Sequence, residues 1–258
     1  MKNELFSIGP ITIYGYGLMI AIGVLAAYFS ATYRAKKYDL DPDKVFYVTV
    51  WAVIGGFGGA KLLYLITKLP AILQDPSLLK DVRDGFVVYG GIIGGIFAGW
   101  LYCRIKKLKF LAYFDLMMPS IALAQGFGRI GCFLAGCCYG KETSGPLAVT
   151  FTNSDFAPNN IPLIPTQIYS SILDFVHFLL LLYVAKHKKA DGQVAACYLI
   201  FYSIGRFIIE FFRGDIERGS VGSFSTSQFI SIFTAIAGII VLFVATVNKK
   251  DSRNYHKK

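Results

Sequence analysis

The chain has 258 residues, of which 55% are hydrophobic and only 16% charged, with a formal net charge of +10 and a mean hydropathy of +0.53. A soluble domain carries about 25% charged residues. The composition therefore excludes a soluble globular domain and indicates an all-α integral membrane protein, with residues 1–258 forming a single transmembrane domain.

A membrane-crossing helix needs about 20 mostly apolar residues. Seven segments meet that need, at about 13–33, 45–67, 86–105, 110–131, 166–185, 193–213 and 225–247, which predicts a bundle of seven transmembrane helices. The first follows Met1, Lys2, Asn3 and Glu4 but is long and lacks a small-residue cleavage site, so it reads as a span and not as a signal peptide. The second and third carry the glycine pairs Gly55-Gly56, Gly58-Gly59, Gly90-Gly91 and Gly94-Gly95, which suit close helix packing as well as close approach of a ligand. No internal repeat is visible, so the inverted-repeat signature of transporters is missing.

The charges orient the bundle. Sixteen of the 26 basic residues lie on the odd connections and the tail. They are Arg34, Lys36, Lys37 and Lys44; Arg104, Lys106, Lys107 and Lys109; Lys186, Lys188 and Lys189; and Lys249, Lys250, Arg253, Lys257 and Lys258. Short basic clusters between apolar runs match loops facing an anionic leaflet and not a nucleic-acid surface, and they predict an outside N-terminus and a cytoplasmic C-terminus. The connection at about 132–165 then lies outside, and its prolines and the run Thr152-Asn153-Ser154-Asp155 predict an ordered cap.

That topology sends the unusual polar residues to the outer level: Tyr14 and Tyr16, Lys61, Tyr89, Arg129, Gln167 and Tyr169, Arg206, Glu210 and Arg213. Tyr202, Arg206 and Glu210 are spaced i, i+4, i+8 and share a helix face. Arg206 and Glu210 can neutralise each other in lipid. Alternatively, Arg206 and Arg129 face one cavity, where two guanidiniums hold a phosphate by forked hydrogen bonds. Asp174 and His177, at i, i+3, read as a buried interhelical hydrogen bond or a proton relay.

The densest chemistry is at Gly128 to Gly140, GRIGCFLAGCCYG, where Arg129 ends a long apolar run and glycines replace bulky residues. A guanidinium at the edge of hydrocarbon is costly and marks a site. Cys132, Cys137 and Cys138 lack the spacing of a standard zinc site. They are expected to line or adjoin the pocket without a required disulfide or metal. Cys103 and Cys197 lie inside apolar runs as packing residues.

These motifs resemble the prolipoprotein diacylglyceryl transferase family along essentially the whole chain. GRIGCFLAGCCYG is similar to the family signature GRIGNFxNGExxG, and Tyr16 to Met19 (YGLM) to its first-span motif. Tyr89 to Gly94 (YGGIIG) resembles HGGLIG, Pro165 to Tyr169 (PTQIY) resembles HPSQLYE, and Tyr202 to Arg213 (YSIGRFIIEFFR) resembles YxxxRFxxEFFR. The departures are Tyr89 and Ile164 for histidines, Cys132 for asparagine, and Cys137 and Ser170 for glutamates. Arg129, Arg206 and Tyr16 are retained.

The resemblance implies transfer of diacylglyceryl from phosphatidylglycerol to the lipobox cysteine of a prolipoprotein signal peptide, by a monomer in the bacterial cytoplasmic membrane, with no metal or organic cofactor. It implies catalytic roles for Arg129, Arg206, Tyr16, Tyr89 and Glu210. Substrate contacts fall to Arg129, Gly90, Gly91, Gly94, Cys132, Cys137, Gly140, Gln167, Tyr202 and Arg213. The competing readings are a related phospholipid-dependent transferase with another acceptor, a lipid binder or transporter, and a thiol-redox protein. A transporter needs polar residues along a whole path, and a redox protein usually carries a C-x-x-C motif; neither is present.

Overall fold

A computed structural model describes residues 4–8, 11–74, 85–215 and 219–255. Met1, Lys2 and Asn3, which precede the first span, and Lys257 and Lys258, which belong to the basic tail, lie outside them. In chain order the elements are β1 (Glu4–Ile8), β2 (Ile11–Tyr14), α1 (Gly15–Ala35), α2 (Pro42–Thr67), α3 (Leu69–Gln74), α4 (Val88–Ile105), α5 (Phe110–Ala135), β3 (Val149–Thr150), β4 (Pro162–Leu163), α6 (Thr166–His187), α7 (Gln193–Glu210), β5 (Ser220–Val221), β6 (Phe224–Ser225) and α8 (Thr226–Tyr255). The strands form three antiparallel pairs, β1 with β2, β3 with β4, and β5 with β6.

Seven helices among the described residues are long and apolar enough to cross a membrane, in agreement with the expected count. Large apolar side chains stand on their exteriors, as at Phe29 (64% exposed), Phe57 (65%) and Phe243 (69%). In water that surface would drive aggregation, whereas in lipid it is the natural outer face of a helical bundle. The protein is a multi-pass membrane protein.

Most boundaries differ from expectation by a few residues, α8 runs on to Tyr255, and two differences bear on the site. The fourth helix runs past Gly131 to Ala135, carrying Arg129 and Cys132 on regular helix. The sixth stops at Glu210, so Arg213 lies in the turn beyond it.

The chain forms two compact units, one of Met1–Ala31 with Phe114–Lys258, the other of Thr32–Tyr113. In the second unit α2 packs on α4 through glycines. A methyl at Gly59 or Gly90 would collide with the other's carbonyl oxygen, and Gly55 and Gly94 stand in the same relation. Such contact of bare backbones gives close van der Waals packing where lipid supplies no hydrophobic drive. The amide of Val87 adds a hydrogen bond to the carbonyl of Ala60 (3.1 Å). Asp41 begins α2, its carboxylate accepting from the amide of Asp43 (2.9 Å), with Pro42 at the first helical position. Lys61 lies over the rings of Tyr64 and Phe86, at 5.2 and 5.3 Å from their centroids, so a cation inside a span keeps an aromatic partner.

In the first unit, Ser171 Oγ donates to the carbonyl of Gly126 (2.9 Å) and joins α6 to α5. Ser203 and Thr234 hydroxyls meet at 2.6 Å between α7 and α8. Asp115, 2% exposed, accepts from the amides of Gly192 (2.9 Å) and Ala195 (3.0 Å) and pairs with Lys188 Nζ (3.0 Å). A carboxylate from α5 therefore satisfies the free amides at the start of α7. The segment after α5 is ordered around its own small core of Phe151, Ala157 and Leu163, with Phe133, Tyr139, Val149 and Ile161 against it.

Candidate active site

A cavity of about 280 Å³ in the first unit lies between α6 and α7, with Arg129 of α5 on its wall. Its polar lining is Arg129, Ser170, Asp174, His177, Tyr202 and Arg206; the rest is aliphatic or aromatic apart from Gly205. Arg129 Nε lies 4.0 Å from Asp174 Oδ2. Arg206 Nη2 lies 2.7 Å from Glu210 Oε2, a close ion contact without the alignment of a directed hydrogen bond, and donates to Ser227 Oγ (2.7 Å). Arg206 therefore pairs with Glu210 and also lines the same cavity as Arg129. A guanidinium has five donors, so one acid partner leaves donors for an incoming phosphate.

Tyr202 belongs to a pile of rings. It stacks parallel on Tyr198 (5.9 Å between centroids), which stacks on His177 (5.0 Å). The Tyr198 hydroxyl donates to Gln125 Oε1 (2.9 Å). His177 Nε2 is buried without a hydrogen-bond partner among the described residues, so the interhelical hydrogen bond expected of it is not formed. Tyr16, 42% exposed, sets its ring edge beside Gly131, two residues along α5 from Arg129.

Cys132, Cys137 and Cys138 have their sulfurs within 4.8 Å of one another. The backbone explains why. Gly136 (φ 77°) and Cys138 (φ 65°) both adopt left-handed conformations and fold the chain back on the end of α5. The Cys137 amide closes that turn on the carbonyl of Cys132 (3.1 Å). The first turn of α6 then clamps it: Gln167 Nε2 donates to the carbonyl of Cys137 (2.9 Å) and Thr166 Oγ1 to that of Cys138 (2.9 Å). Hydrogen bonds from Cys132, Cys137 and then Arg213 push the Cys138 thiol well below the usual thiol range, while Cys137, with the other two thiols beside it, is pushed up.

Arg213 is 8% exposed and forks onto Asp215, with Nε to Oδ1 at 2.8 Å. Burial works to lower its pKa, but Asp215 and Cys138 outweigh burial and raise it. Gly140 sits between two backbones: its amide donates to the carbonyl of Ile164 (3.0 Å), and the amide of Lys141 to that of Phe212 (2.9 Å). A Cβ there would lie 2.5 Å from the first carbonyl oxygen and 2.8 Å from the second.

The family model for prolipoprotein diacylglyceryl transferase matches residues 3–244. The chain belongs to the prolipoprotein diacylglyceryl transferase family. It is 51% identical over 250 residues, covering 97% of this chain and all of the relative, to the phosphatidylglycerol–prolipoprotein diacylglyceryl transferase of Clostridium tetani. It is 47% identical to the second such transferase of Clostridium perfringens (98% of each chain) and 36% identical to that of Finegoldia magna (93% of this chain, 94% of the relative).

The family motifs sort into different structural places. Arg129, Tyr202 and Arg206 come together on one cavity, with Glu210 behind Arg206. Cys132, Cys137, Gln167 and Arg213 gather at the turn after α5, and Gly140 is a steric requirement of that turn. Tyr89, Gly90, Gly91 and Gly94 belong to the second unit, where the glycines pack on α2; they are not assigned to the cavity. Asp115 was missed by the sequence reading, although an acid one turn into an apolar span is a visible signal. Asp174 was noted without its partner, Arg129, which no spacing rule connects to it.

Proposed function

We propose that this protein transfers the diacylglyceryl group of phosphatidylglycerol to the lipobox cysteine of a prolipoprotein. The observation that carries the reading is the pair Arg129 and Arg206 on one otherwise largely apolar cavity. The acyl chains suit the apolar wall and the headgroup phosphate suits the guanidiniums. In the reaction the acceptor thiol gives its proton to water and the sulfur attacks a glyceryl carbon. The carbon–oxygen bond breaks with its electron pair on the phosphate oxygen, which gives a thioether and glycerol 1-phosphate. Arg129 and Arg206 stabilise the charge growing on that oxygen. Glu210 and Ser227 hold Arg206 in place, and Tyr16 stands beside the signature helix as a hydroxyl for proton transfer.

The setting that fits is the bacterial cytoplasmic membrane, with a monomer whose N-terminus is outside. The test is complementation of a strain depleted of its own transferase. Arg129→Ala and Arg206→Ala should each lower lipoprotein modification about 10²–10³-fold, the cost of removing one transition-state donor, with the protein still inserted. Near-normal modification in either variant would remove the phosphate clamp.

A further inference from the structure

The family signature places asparagine and glutamate where this chain has Cys132 and Cys137, and the resemblance alone implied a site without metal. The three sulfurs at the end of α5 argue differently. Tetrahedral zinc holds sulfur at about 2.3 Å, so two thiolates on one ion stand about 3.8 Å apart. Cys132, Cys137 and Cys138 already lie within 4.8 Å of one another as free thiols. Side-chain adjustment of about 1 Å brings them to that spacing.

The surroundings have the form of a supporting shell. Gln167 and Thr166 pin the carbonyls on either side of the Cys137–Cys138 peptide, and such outer hydrogen bonds fix ligand geometry in metal sites. Gln167 is 1% exposed and keeps its Oε1 buried without a partner among the described residues. Three thiolates on a divalent ion carry one net negative charge, and the Arg213 guanidinium lies against Cys138 to meet it. Cys132 is buried while Cys137 and Cys138 are partly exposed, so the group is not sealed inside the protein.

We infer that Cys132, Cys137 and Cys138 form a three-thiolate site for a zinc-class divalent cation, with its fourth position open to the thiol of the acceptor. Structural zinc sites close all four positions with protein, whereas catalytic ones use three protein ligands and leave one for substrate. A copper(I) ion is satisfied by three thiolates and leaves no such position. The role at the fourth position rests on the transferase reading. The acceptor thiol gives its proton to water on binding the cation, and its sulfur then attacks the glyceryl carbon as the carbon–oxygen bond breaks toward phosphate. This supplies an activation of the thiol in a chain where Tyr89 and Ile164 stand in place of the motif histidines.

The experiment uses the full chain purified in detergent without a polyhistidine tag. Elemental analysis should find about one zinc per chain. Cobalt(II) exchanged into the site should show thiolate-to-cobalt charge-transfer absorption. Cys137→Ser and Cys138→Ser should lose both signals, and Cys103→Ser and Cys197→Ser should keep them. Gln167→Ala retains all three ligands and should weaken zinc binding about 10–100-fold, which separates the site from a folding defect. A lipobox peptide should change the cobalt spectrum, and its Cys→Ser form should not. Zinc content unaffected by loss of the three cysteines, copper in place of zinc, or a disulfide among them in the native protein overturns the inference. Full transfer activity in zinc-stripped protein overturns the role of the metal and leaves the transferase reading standing. A zinc-loaded site in protein that never transfers lipid defeats that reading and leaves the metal site.

Discussion

Gly140 holds its place for a steric reason that its motif does not reveal. Its Cβ position is closed by the carbonyls of Ile164 and Phe212, two strands of backbone that run on either side of it. Gly140→Ala should therefore destabilise the protein by about 1–3 kcal/mol, the range for forcing a methyl into packed surroundings. Thermal unfolding in detergent reads this; an unchanged midpoint would contradict the packing role. Arg129 and Arg206 were legible in the sequence because a cation in an apolar run is visible in one dimension and costly in lipid. Their common cavity was legible only as one of two readings. The clustering of Cys132 with Cys137 and Cys138 was not legible, because it depends on left-handed turns at Gly136 and Cys138 and on clamps from Thr166 and Gln167.

At the scale of elements, the spans were readable because length and hydropathy decide them, while the strand pairs β3–β4 and β5–β6 are two residues per strand and carry no periodicity. The start of α7 shows what a hydropathy reading passes over. Its amides end on Asp115, a carboxylate of another helix. Asp115→Ala removes the buried partner of Lys188 and of two amides, and should cost about 3–5 kcal/mol, measured as a loss of thermal stability in detergent. A change within experimental error would show that α7 starts without this cap. Burial works against the charge on Lys188, but its hydrogen bonds to Asp191 and Asp115 outweigh burial and raise its pKa. Its contribution is therefore fully present below the ordinary lysine range and fades only as pH rises through the raised value.

For the whole molecule, the charge distribution predicts orientation: the basic odd connections belong in the cytoplasm. Cysteine substitutions near Lys36 should resist an impermeant thiol reagent added to intact cells, and substitutions near Pro158 should react. Labelling near Lys36 from outside would reverse the topology. The claim on which the rest depends is lipid transfer to a thiol, and the product of the purified protein tests it most directly. Incubated with phosphatidylglycerol and a lipobox peptide, the protein should yield a peptide whose mass has risen by a diacylglyceryl group attached through the cysteine sulfur, with glycerol 1-phosphate released in equal amount. A peptide recovered unmodified, while a relative of established activity modifies it under the same conditions, would contradict the account.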